Sequence, residues 1–256
     1  TRAPGPLVVA APGIGDLRQS YRFLVPMLAR AGFRVVTVDL PGQGESSTGW
    51  PDATPEAFGE ALAELVAHLN AGPAVLIGNS YAAASVSWTA ARHPQAVRGV
   101  VLIGPVVRDV PASPVQKLLI PVLFSGPWKV AAWLAYWSSL FPARKPADHA
   151  AYRARLRASL NEPGRFAALK ALMNTGRARV QASLKDITAP VLVVMGARDP
   201  DFKDPAAEAR AVAELTRGRV ALIPQAGHYP QAEQPDATLA ALLPFLAETT
   251  REAERA

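Results

Sequence analysis

Ser80 stands at the end of an apolar run, in the sequence Gly78-Asn79-Ser80-Tyr81-Ala82, and small residues typical of a buried helix follow it. A sharp turn between a buried strand and a helix exposes its central side chain and requires small residues two positions before and two after. Gly78 and Ala82 meet that requirement, although glycine is usual at the second position. Ser80 is therefore the candidate nucleophile. The alternative is a serine that only caps the helix after it.

His228 is the candidate base for this serine, because a hydroxyl of ordinary acidity needs an adjacent base to become a nucleophile. It follows the predicted strand 220–223 in the sequence PQAGHYP, a loop at the carboxyl end of a strand. That is the edge of a sheet on which Ser80 is also expected. The other three histidines, His68, His93 and His149, are in patterns typical of surface or packing positions.

Asp199 is the first choice for the acid that orients the base. It follows the apolar run 191–196 in the sequence ARDPD, again at the carboxyl end of a predicted strand. Asp201 and Asp204 are near enough in sequence to take this role instead, and Asp109 lies after another strand. The chain order of nucleophile, acid and base is that of α/β-hydrolases and differs from the order in chymotrypsin-like and subtilisin-like enzymes.

Composition narrows the possible functions. The chain has 256 residues, half of them hydrophobic and none of them cysteine, which excludes disulfides and thiolate metal sites. The net charge is +6, and residues 106–189 hold thirteen basic and four acidic side chains, a net charge of +9. Arginines at helical intervals are typical of a solvated face, and no nucleic-acid motif accompanies them. We therefore predict no nucleic-acid partner, no metal and no cofactor.

The order of apolar runs predicts an α/β fold, in which a mostly parallel sheet of about six strands has helices on both faces. In residues 106–189 the alternation of strand and helix patterns stops, and the pattern predicts helices only. We expect them to form an all-helical cap between the fourth and fifth strands, on a core of residues 1–105 and 190–256. The predicted strands are 7–11, 34–39, 74–78, 97–104, 191–196 and 220–223.

Targeting signals are not evident in the sequence. The apolar stretch 115–141 is interrupted by prolines, a glycine and a lysine, so it falls short of the ~20 residues of a membrane span. No signal-peptide pattern precedes the first predicted strand. The sequence therefore predicts a cytoplasmic protein without a membrane span.

Aromatic side chains are concentrated in the predicted cap, which holds three of the five tryptophans. Some of them must pack the cap onto the core, since aromatic residues at helical spacing are more often core than ligand contacts. The others are candidates for an apolar or aromatic small-molecule substrate. The predicted substrate contacts are Phe124, Trp128, Trp133 and Trp137, together with Tyr229 of the histidine loop.

These motifs together resemble those of the α/β-hydrolase fold superfamily, in its capped form. The resemblance covers nearly all of the chain outside the insert. It rests on GNSYA, on Gly196 to Asp199, on Gly227-His228 with Glu233-Gln234-Pro235, and on VVTVDLPGQGES at 35–46, with Gln43 where histidine is common.

The resemblance implies an oxyanion hole made of two backbone amides. By position they are those of Tyr81, after the nucleophile, and of Ile14, in the loop after the first predicted strand. That loop reads Pro12-Gly13-Ile14-Gly15-Asp16, without the histidine that the family often has. An amide donor does not depend on the side chain it carries. The six residues before the strand at 7–11 cannot supply the hairpin with which the family usually opens, so we expect either a minimal form with about six parallel strands or a chain from which the hairpin was lost.

The predicted function is that of a serine hydrolase which cleaves an apolar or aromatic carboxylic ester or lactone through an acyl-enzyme. Thioester hydrolysis is the nearest alternative, because a basic cap suits coenzyme A or an acidic carrier protein. Carbon-carbon hydrolysis and lyase or cyclase chemistry also occur on similar folds. A small-molecule receptor is the alternative outside enzymes, although it would gain nothing from keeping all three catalytic side chains.

Overall fold

A computed structural model describes residues 5–109 and 114–255. Residues 1–4, 110–113 and 256 belong to the predicted core and cap and lie outside the described residues. The strands are β1 (Leu7–Ala11), β2 (Arg34–Thr37), β3 (Ala74–Asn79), β4 (Val97–Ile103), β5 (Val191–Gly196) and β6 (Arg219–Ile223).

The six strands form one sheet in the order β2-β1-β3-β4-β5-β6, and every neighbouring pair is parallel. The predicted mostly parallel sheet of about six strands is confirmed. From β1 the chain moves outward to β2 and then returns to the other side of β1 for β3. The order thus reverses between β1 and β3, and ligands of open α/β sheets bind beyond the carboxyl ends of the strands at such a point.

Both faces of the sheet are buried at β1, β3, β4 and β5, because helices cover each of them, whereas the edge strand β6 is largely exposed. Alternate residues of one strand enter opposite cores: Leu76 packs on one side, whereas Val75 and Ile77 pack on the other. This arrangement explains why the central strands read as continuous apolar runs. The helices are α1 (Leu24–Arg30), α2 (Pro55–Leu69), α3 (Tyr81–Arg92), α4 (Pro114–Leu123), α5 (Lys129–Ser139), α6 (His149–Asn161), α7 (Arg165–Met173), α8 (Ala178–Ser183), α9 (Pro205–Thr216), α10 (Pro230–Glu233) and α11 (Pro235–Arg255).

Helices α4 to α8 fill the chain between β4 and β5, and the described residues of that segment contain no strand. Helices α5, α6 and α7 build a third apolar cluster, with Trp137 among its most buried members, whereas Leu172 of α7 and Val180 of α8 pack in one of the sheet cores. This cluster also takes in Leu17 and Tyr229 from loops of the sheet. The helical segment therefore packs over the loops at one end of the strands.

Strand β2 is shorter than predicted, since it ends at Thr37 rather than at residue 39. The carboxylate of Asp39 accepts hydrogen bonds from the backbone amides of Arg18 (2.7 Å) and Glu45 (3.1 Å). These contacts turn the chain away from the sheet. Among the described residues, no helix combines the length and the apolar character that a membrane crossing requires.

Candidate active site

The turn between β3 and α3 holds Ser80 in a rare backbone conformation, with φ of 56° and ψ of −118°. A side chain on Gly78 would lie 2.5 Å from the carbonyl oxygen of Ala82, so only glycine fits before the turn. The side chain of Ser80 makes no capping hydrogen bond to α3. A strained serine that does not cap its helix is what a nucleophile requires, and the capping alternative loses its support.

His228 and Asp199 form a buried pair beside this turn. His228 Nδ1 lies 2.7 Å from Asp199 Oδ2, and both residues are at most 2% exposed. Asp199 follows β5 and His228 follows β6, so two neighbouring strand ends bring them together. Gly104, at the end of β4, has a φ of +50°, and a side chain there would approach both partners to 3.2 Å. The pair is thus enclosed by backbone.

Backbone and side-chain hydrogen bonds fix the loop that carries the histidine. The amide of Gly227 donates to Glu233 Oε2 at 2.6 Å, and burial raises the pKa of this glutamate although three backbone amides lower it. Asn79 Nδ2 donates to the carbonyl oxygens of Ile103 and His228, both at 3.1 Å. Asn79 thereby ties the strand of the nucleophile directly to the histidine.

Asp201 lies on the opposite side of the imidazole from Asp199. Its Oδ2 is 3.7 Å from His228 Nε2, and the hydroxyl of Tyr136 donates to its carboxylate at 2.8 Å. Burial is the largest single influence on the pKa of His228 and lowers it, but the charges of Asp199 and Asp201 outweigh burial and raise the pKa to about 9. The imidazole is therefore held between two carboxylates.

The remaining candidate acids have other partners. Asp204 caps α9 by accepting a hydrogen bond from the amide of Ala207 at 2.9 Å. Asp109 accepts from the amide of Arg177 through both carboxylate oxygens, at 2.9 and 3.1 Å. Within the described residues, only Asp199 and Asp201 contact His228 through a carboxylate.

Ser80 and His228 line one cavity without a hydrogen bond between their side chains in the described structure. His228 Nε2, the nitrogen free to meet a serine, faces Asp201 instead, at a distance longer than a hydrogen bond. Contacts of this kind are often long in an enzyme without substrate and shorten in the complex.

The loop after β1 lies against Ser80. A side chain on Gly13 would lie 3.0 Å from the Ser80 Cβ atom, so this backbone approaches the serine closely. The loop continues with Ile14, and Tyr81 begins α3. In the part of the chain that the structure describes, neither amide has a hydrogen-bond acceptor. Two unengaged amides near a serine could bind a developing oxyanion.

Aromatic side chains of α5 and α6 anchor this loop from above. Trp133 Nε1 donates to the carbonyl oxygen of Gly15 at 3.0 Å. The buried carboxylate of Asp16 accepts from Tyr152 Oη at 2.7 Å and from Trp137 Nε1 at 3.4 Å. Burial raises the pKa of Asp16, although these donors lower it. The position of the loop therefore depends on the helical segment.

A cavity of about 400 Å³ opens in front of Ser80, between the sheet edge and the helical segment. Its wall is largely apolar, with a few charged or polar groups. The lining residues are Ile14, Ser80, Tyr81, Val106, Ile120, Leu123, Phe124, Trp133, Tyr136, Leu140, Met173, Arg177, Asp201, His228 and Tyr229.

Of the five predicted substrate contacts, Phe124, Trp133 and Tyr229 line this cavity, whereas Trp128 and Trp137 do not. Trp128 is 52% exposed, and its indole donates to the carbonyl oxygen of Val122 at 3.3 Å. Trp137 is 1% exposed because its ring stacks on His149 and Tyr152 in the third apolar cluster. We therefore correct the predicted set by removing these two tryptophans.

Asp199, Asp201 and His228 also form the group in which three possible metal ligands lie within 4.8 Å of one another. The two carboxylates face opposite nitrogens of one imidazole. An ion needs its ligand atoms to converge on one point at about 2 Å. The arrangement is better suited to orienting the ring than to enclosing an ion.

Sequence reasoning missed Tyr136 and Arg177, which both line the cavity. Tyr136 lies one helical turn after Ala132 and one position before a tryptophan, so nothing in the pattern separates it from its aromatic neighbours. Arg177 is one of many arginines in a basic segment. Only the folded chain shows that these two side chains face the serine.

The residues of this site lie on a fold that many proteins share, and the sequence pattern of the Alpha/beta hydrolase family matches residues 8–242. The chain belongs to the alpha/beta hydrolase family. The predicted resemblance is confirmed, and the protein is an enzyme of the hydrolase class.

This chain covers nearly the whole length of some relatives and only a small part of others. A 2-(acetamidomethylene)succinate hydrolase of Mesorhizobium japonicum is 26% identical over 96% of this chain and 89% of its own length. Bifunctional epoxide hydrolase 2 of Rattus norvegicus is 36% identical over 38% of this chain, which spans only 18% of that protein. A thermophilic esterase from Thermogutta terrifontis has a similar structure, with a TM-score of 0.76 and 26% identity over 96% of this chain and 91% of its own.

Proposed function

We propose that this alpha/beta hydrolase is a cofactor-independent serine hydrolase that cleaves an apolar or aromatic carboxylic ester or lactone. The observation that carries the proposal is the strained Ser80 turn at a cavity that is also lined by His228, the partner of the buried Asp199. The similarity to an esterase of known structure supports the same reaction. The substrate would be a small molecule.

In the proposed mechanism His228 takes the proton of Ser80 through Nε2, and the serine oxygen attacks the ester carbonyl carbon. Asp199 holds the imidazole through Nδ1 and stabilises its charged form. The amides of Ile14 and Tyr81 bind the oxyanion, and loss of one such donor costs on the order of 3 kcal/mol in enzymes of this kind. His228 then protonates the leaving alkoxide and activates the water that hydrolyses the acyl-enzyme.

We further propose that residues 106–189 act as a cap on a core of residues 1–105 and 190–256. The apolar cluster built by α5, α6 and α7 supports this division. So does the ion pair between Arg22 of the core and Asp148 of the cap, joined by two hydrogen bonds of 2.6 Å. A cap fixed in this way would hold a substrate between its helices and the sheet edge.

The lining of the cavity supports an apolar acyl or alcohol group. Phe124 and Trp133 meet edge to face at 5.5 Å, and Leu123 and Met173 add aliphatic surface. A volume of about 400 Å³ falls within the range of small-molecule sites, roughly 300–1,000 Å³. The proposed substrate is therefore a single ester or lactone of moderate size.

Thioester hydrolysis is the second candidate. The observation that favours it is the net charge of +9 in residues 106–189, which would attract the phosphates of coenzyme A or an acidic carrier protein. The acyl-enzyme chemistry would be the same, so the leaving group alone distinguishes the two candidates.

A panel of p-nitrophenyl esters and acyl-coenzyme A thioesters tests both candidates. We expect ester hydrolysis with the higher kcat/KM, and a loss on the order of 10³-fold or more in kcat for Ser80→Ala. Ser85→Ala is the matched control, because Ser85 is buried on α3 and its hydroxyl has no partner in the described structure. Equal rates for Ser80→Ala and the parent protein would contradict the mechanism, and faster thioester hydrolysis would favour the second candidate.

A further inference from the structure

Arg177 brings a positive charge to the wall of a largely apolar cavity. It lies on the turn between α7 and α8, and its side chain lines the same cavity as Ser80. The residue is half-buried, and burial lowers the pKa of its guanidinium group. A cation in this place is costly, so the folded chain must either pair it or leave it for a ligand.

Two contacts fix the orientation of the guanidinium. Its central carbon lies 5.3 Å from the centroid of the Tyr81 ring, and Nη1 donates to the carbonyl oxygen of Thr175 at 2.7 Å. The Tyr81 hydroxyl in turn donates to the carbonyl oxygen of Ala53 at 2.6 Å. Arg177 is thus held against the residue that follows the proposed nucleophile.

No carboxylate of the described residues lies within 4 Å of the Arg177 guanidinium, although two acids are near it. Both carboxylate oxygens of Asp109 accept a hydrogen bond from the backbone amide of Arg177. Asp201 lines the same cavity but contacts His228 and Tyr136 instead. Arg177 Nε is fully buried and has no hydrogen-bond acceptor in the described structure.

Several other partly buried arginines contact a carboxylate, whereas Arg98 makes no ion pair in the described structure and its Nε, like that of Arg177, is buried without an acceptor. Arg22 makes a two-pronged ion pair with Asp148, and Arg108 makes one with Glu208. The guanidinium of Arg18 contacts the carboxylate of Asp39. Arg177 differs from Arg98 because it lines the cavity of Ser80, where no carboxylate of the described residues lies within ion-pair distance of its guanidinium.

We propose that Arg177 binds a free carboxylate of the substrate, so that the preferred substrate is an ester or lactone that also carries an acid group. A carboxylate matches the planar fork of a guanidinium and can accept two parallel hydrogen bonds from it. With Nη1 bonded to Thr175 and Nε buried, Nη2 is the donor left to meet the acid. This inference rests on the proposed function, because it takes the cavity of Ser80 as the substrate site.

Two esters of equal chain length test the proposal: the p-nitrophenyl monoester of glutaric acid, which keeps one free carboxylate, and p-nitrophenyl pentanoate, which has none. We expect the parent protein to favour the acidic ester at least tenfold in kcat/KM, mainly through KM. In Arg177→Gln this preference falls at least tenfold, and Arg177→Lys retains part of it. The preference stays in Arg179→Gln, since the Arg179 side chain is 75% exposed and does not line the cavity.

Glutarate binding, measured by calorimetry, separates this proposal from the hydrolase proposal. We expect Arg177→Gln to weaken the Kd for glutarate at least tenfold relative to the parent protein and to Arg179→Gln. Hydrolysis of both esters with equal kcat/KM, together with glutarate binding that does not depend on Arg177, would overturn the carboxylate site and leave the hydrolase intact. Arg177-dependent glutarate binding without hydrolysis of either ester would support the site and count against the hydrolase.

Discussion

The sheet edge and the helical segment hold their side chains near Ser80 by different means. At the sheet edge, backbone groups fix these positions. The amide of Ser80 donates to the carbonyl oxygen of Ile103 at 2.8 Å, and the backbone of Gly104 packs against the carboxylate of Asp199. In the helical segment, aromatic side chains make the contacts. Trp133 holds Gly15, and Tyr136 holds Asp201.

This difference separates two kinds of contribution. Residues fixed by strand ends carry the proposed chemistry, so their loss should reduce kcat strongly. Residues of the helical segment position loops and line the cavity, so their loss should change binding, stability or pH dependence to a smaller extent. The two regions meet at Asp201, which follows β5 and is bound by a side chain of α5.

The largest effect is expected for Asp199→Asn at the sheet edge. An amide in place of the carboxylate no longer stabilises the charged imidazole and favours the wrong tautomer, so kcat should fall about 10³- to 10⁴-fold. Steady-state hydrolysis of a p-nitrophenyl ester measures this loss. Asp204→Asn is the control, because Asp204 caps α9 and does not contact His228. A greater loss for Asp201→Asn than for Asp199→Asn would reverse the assignment of the acid.

A smaller effect is expected where the two regions meet. His228 has a pKa of about 9, and below that pH the imidazole is protonated and cannot accept the Ser80 proton. The kcat/KM should therefore rise with pH up to about 9. Asp201→Asn removes one of the charges that raise this pKa, so the rise should move to lower pH. A pKa lower by one unit would increase the neutral imidazole at pH 7 about tenfold.

Profiles of kcat/KM between pH 5 and 10 for the parent protein and Asp201→Asn measure the shift. Identical profiles, or a shift to higher pH in the variant, would show that Asp201 does not act on His228 as we describe.

The smallest effect is expected in the helical segment. Trp133→Phe keeps an aromatic ring but removes the hydrogen bond to Gly15, so the free energy of unfolding should fall by about 1–3 kcal/mol. Trp128→Phe should change it by less than about 0.5 kcal/mol, because Trp128 is largely exposed. Urea unfolding measures both values. An equal loss of unfolding free energy in the two variants would contradict the role of Trp133 in anchoring the loop.

Much of the fold was predictable from local pattern. Strands β1 and β5 have the predicted bounds, because turn residues bound their apolar runs. Strand β2 was predicted too long, since its end depends on the carboxylate of Asp39 contacting distant backbone amides. No pattern in the local sequence predicts such a contact.

Some residues of the site were predictable from local pattern, and others were not. Ser80, Asp199 and His228 could be named in advance because each follows a strand, and parallel strands bring such loops to one edge. Their catalytic roles stay predictions. The sequence could not show which aromatic residues of the helical segment line the cavity and which pack in its core. Trp133 and Trp137 lie in the same aromatic-rich helix and differ only in what they contact. Arg177 is distinguished by its place in the cavity wall without a carboxylate partner, which only the folded chain can show.

Labelling with a fluorophosphonate, followed by mass spectrometry of the digested protein, tests the central claim most directly. If Ser80 is an activated nucleophile, the folded protein should carry one adduct on Ser80, Asp199→Asn should react far more slowly, and Ser80→Ala should not react. A folded protein that gains no adduct, or an adduct that persists at another residue in Ser80→Ala, would contradict the claim.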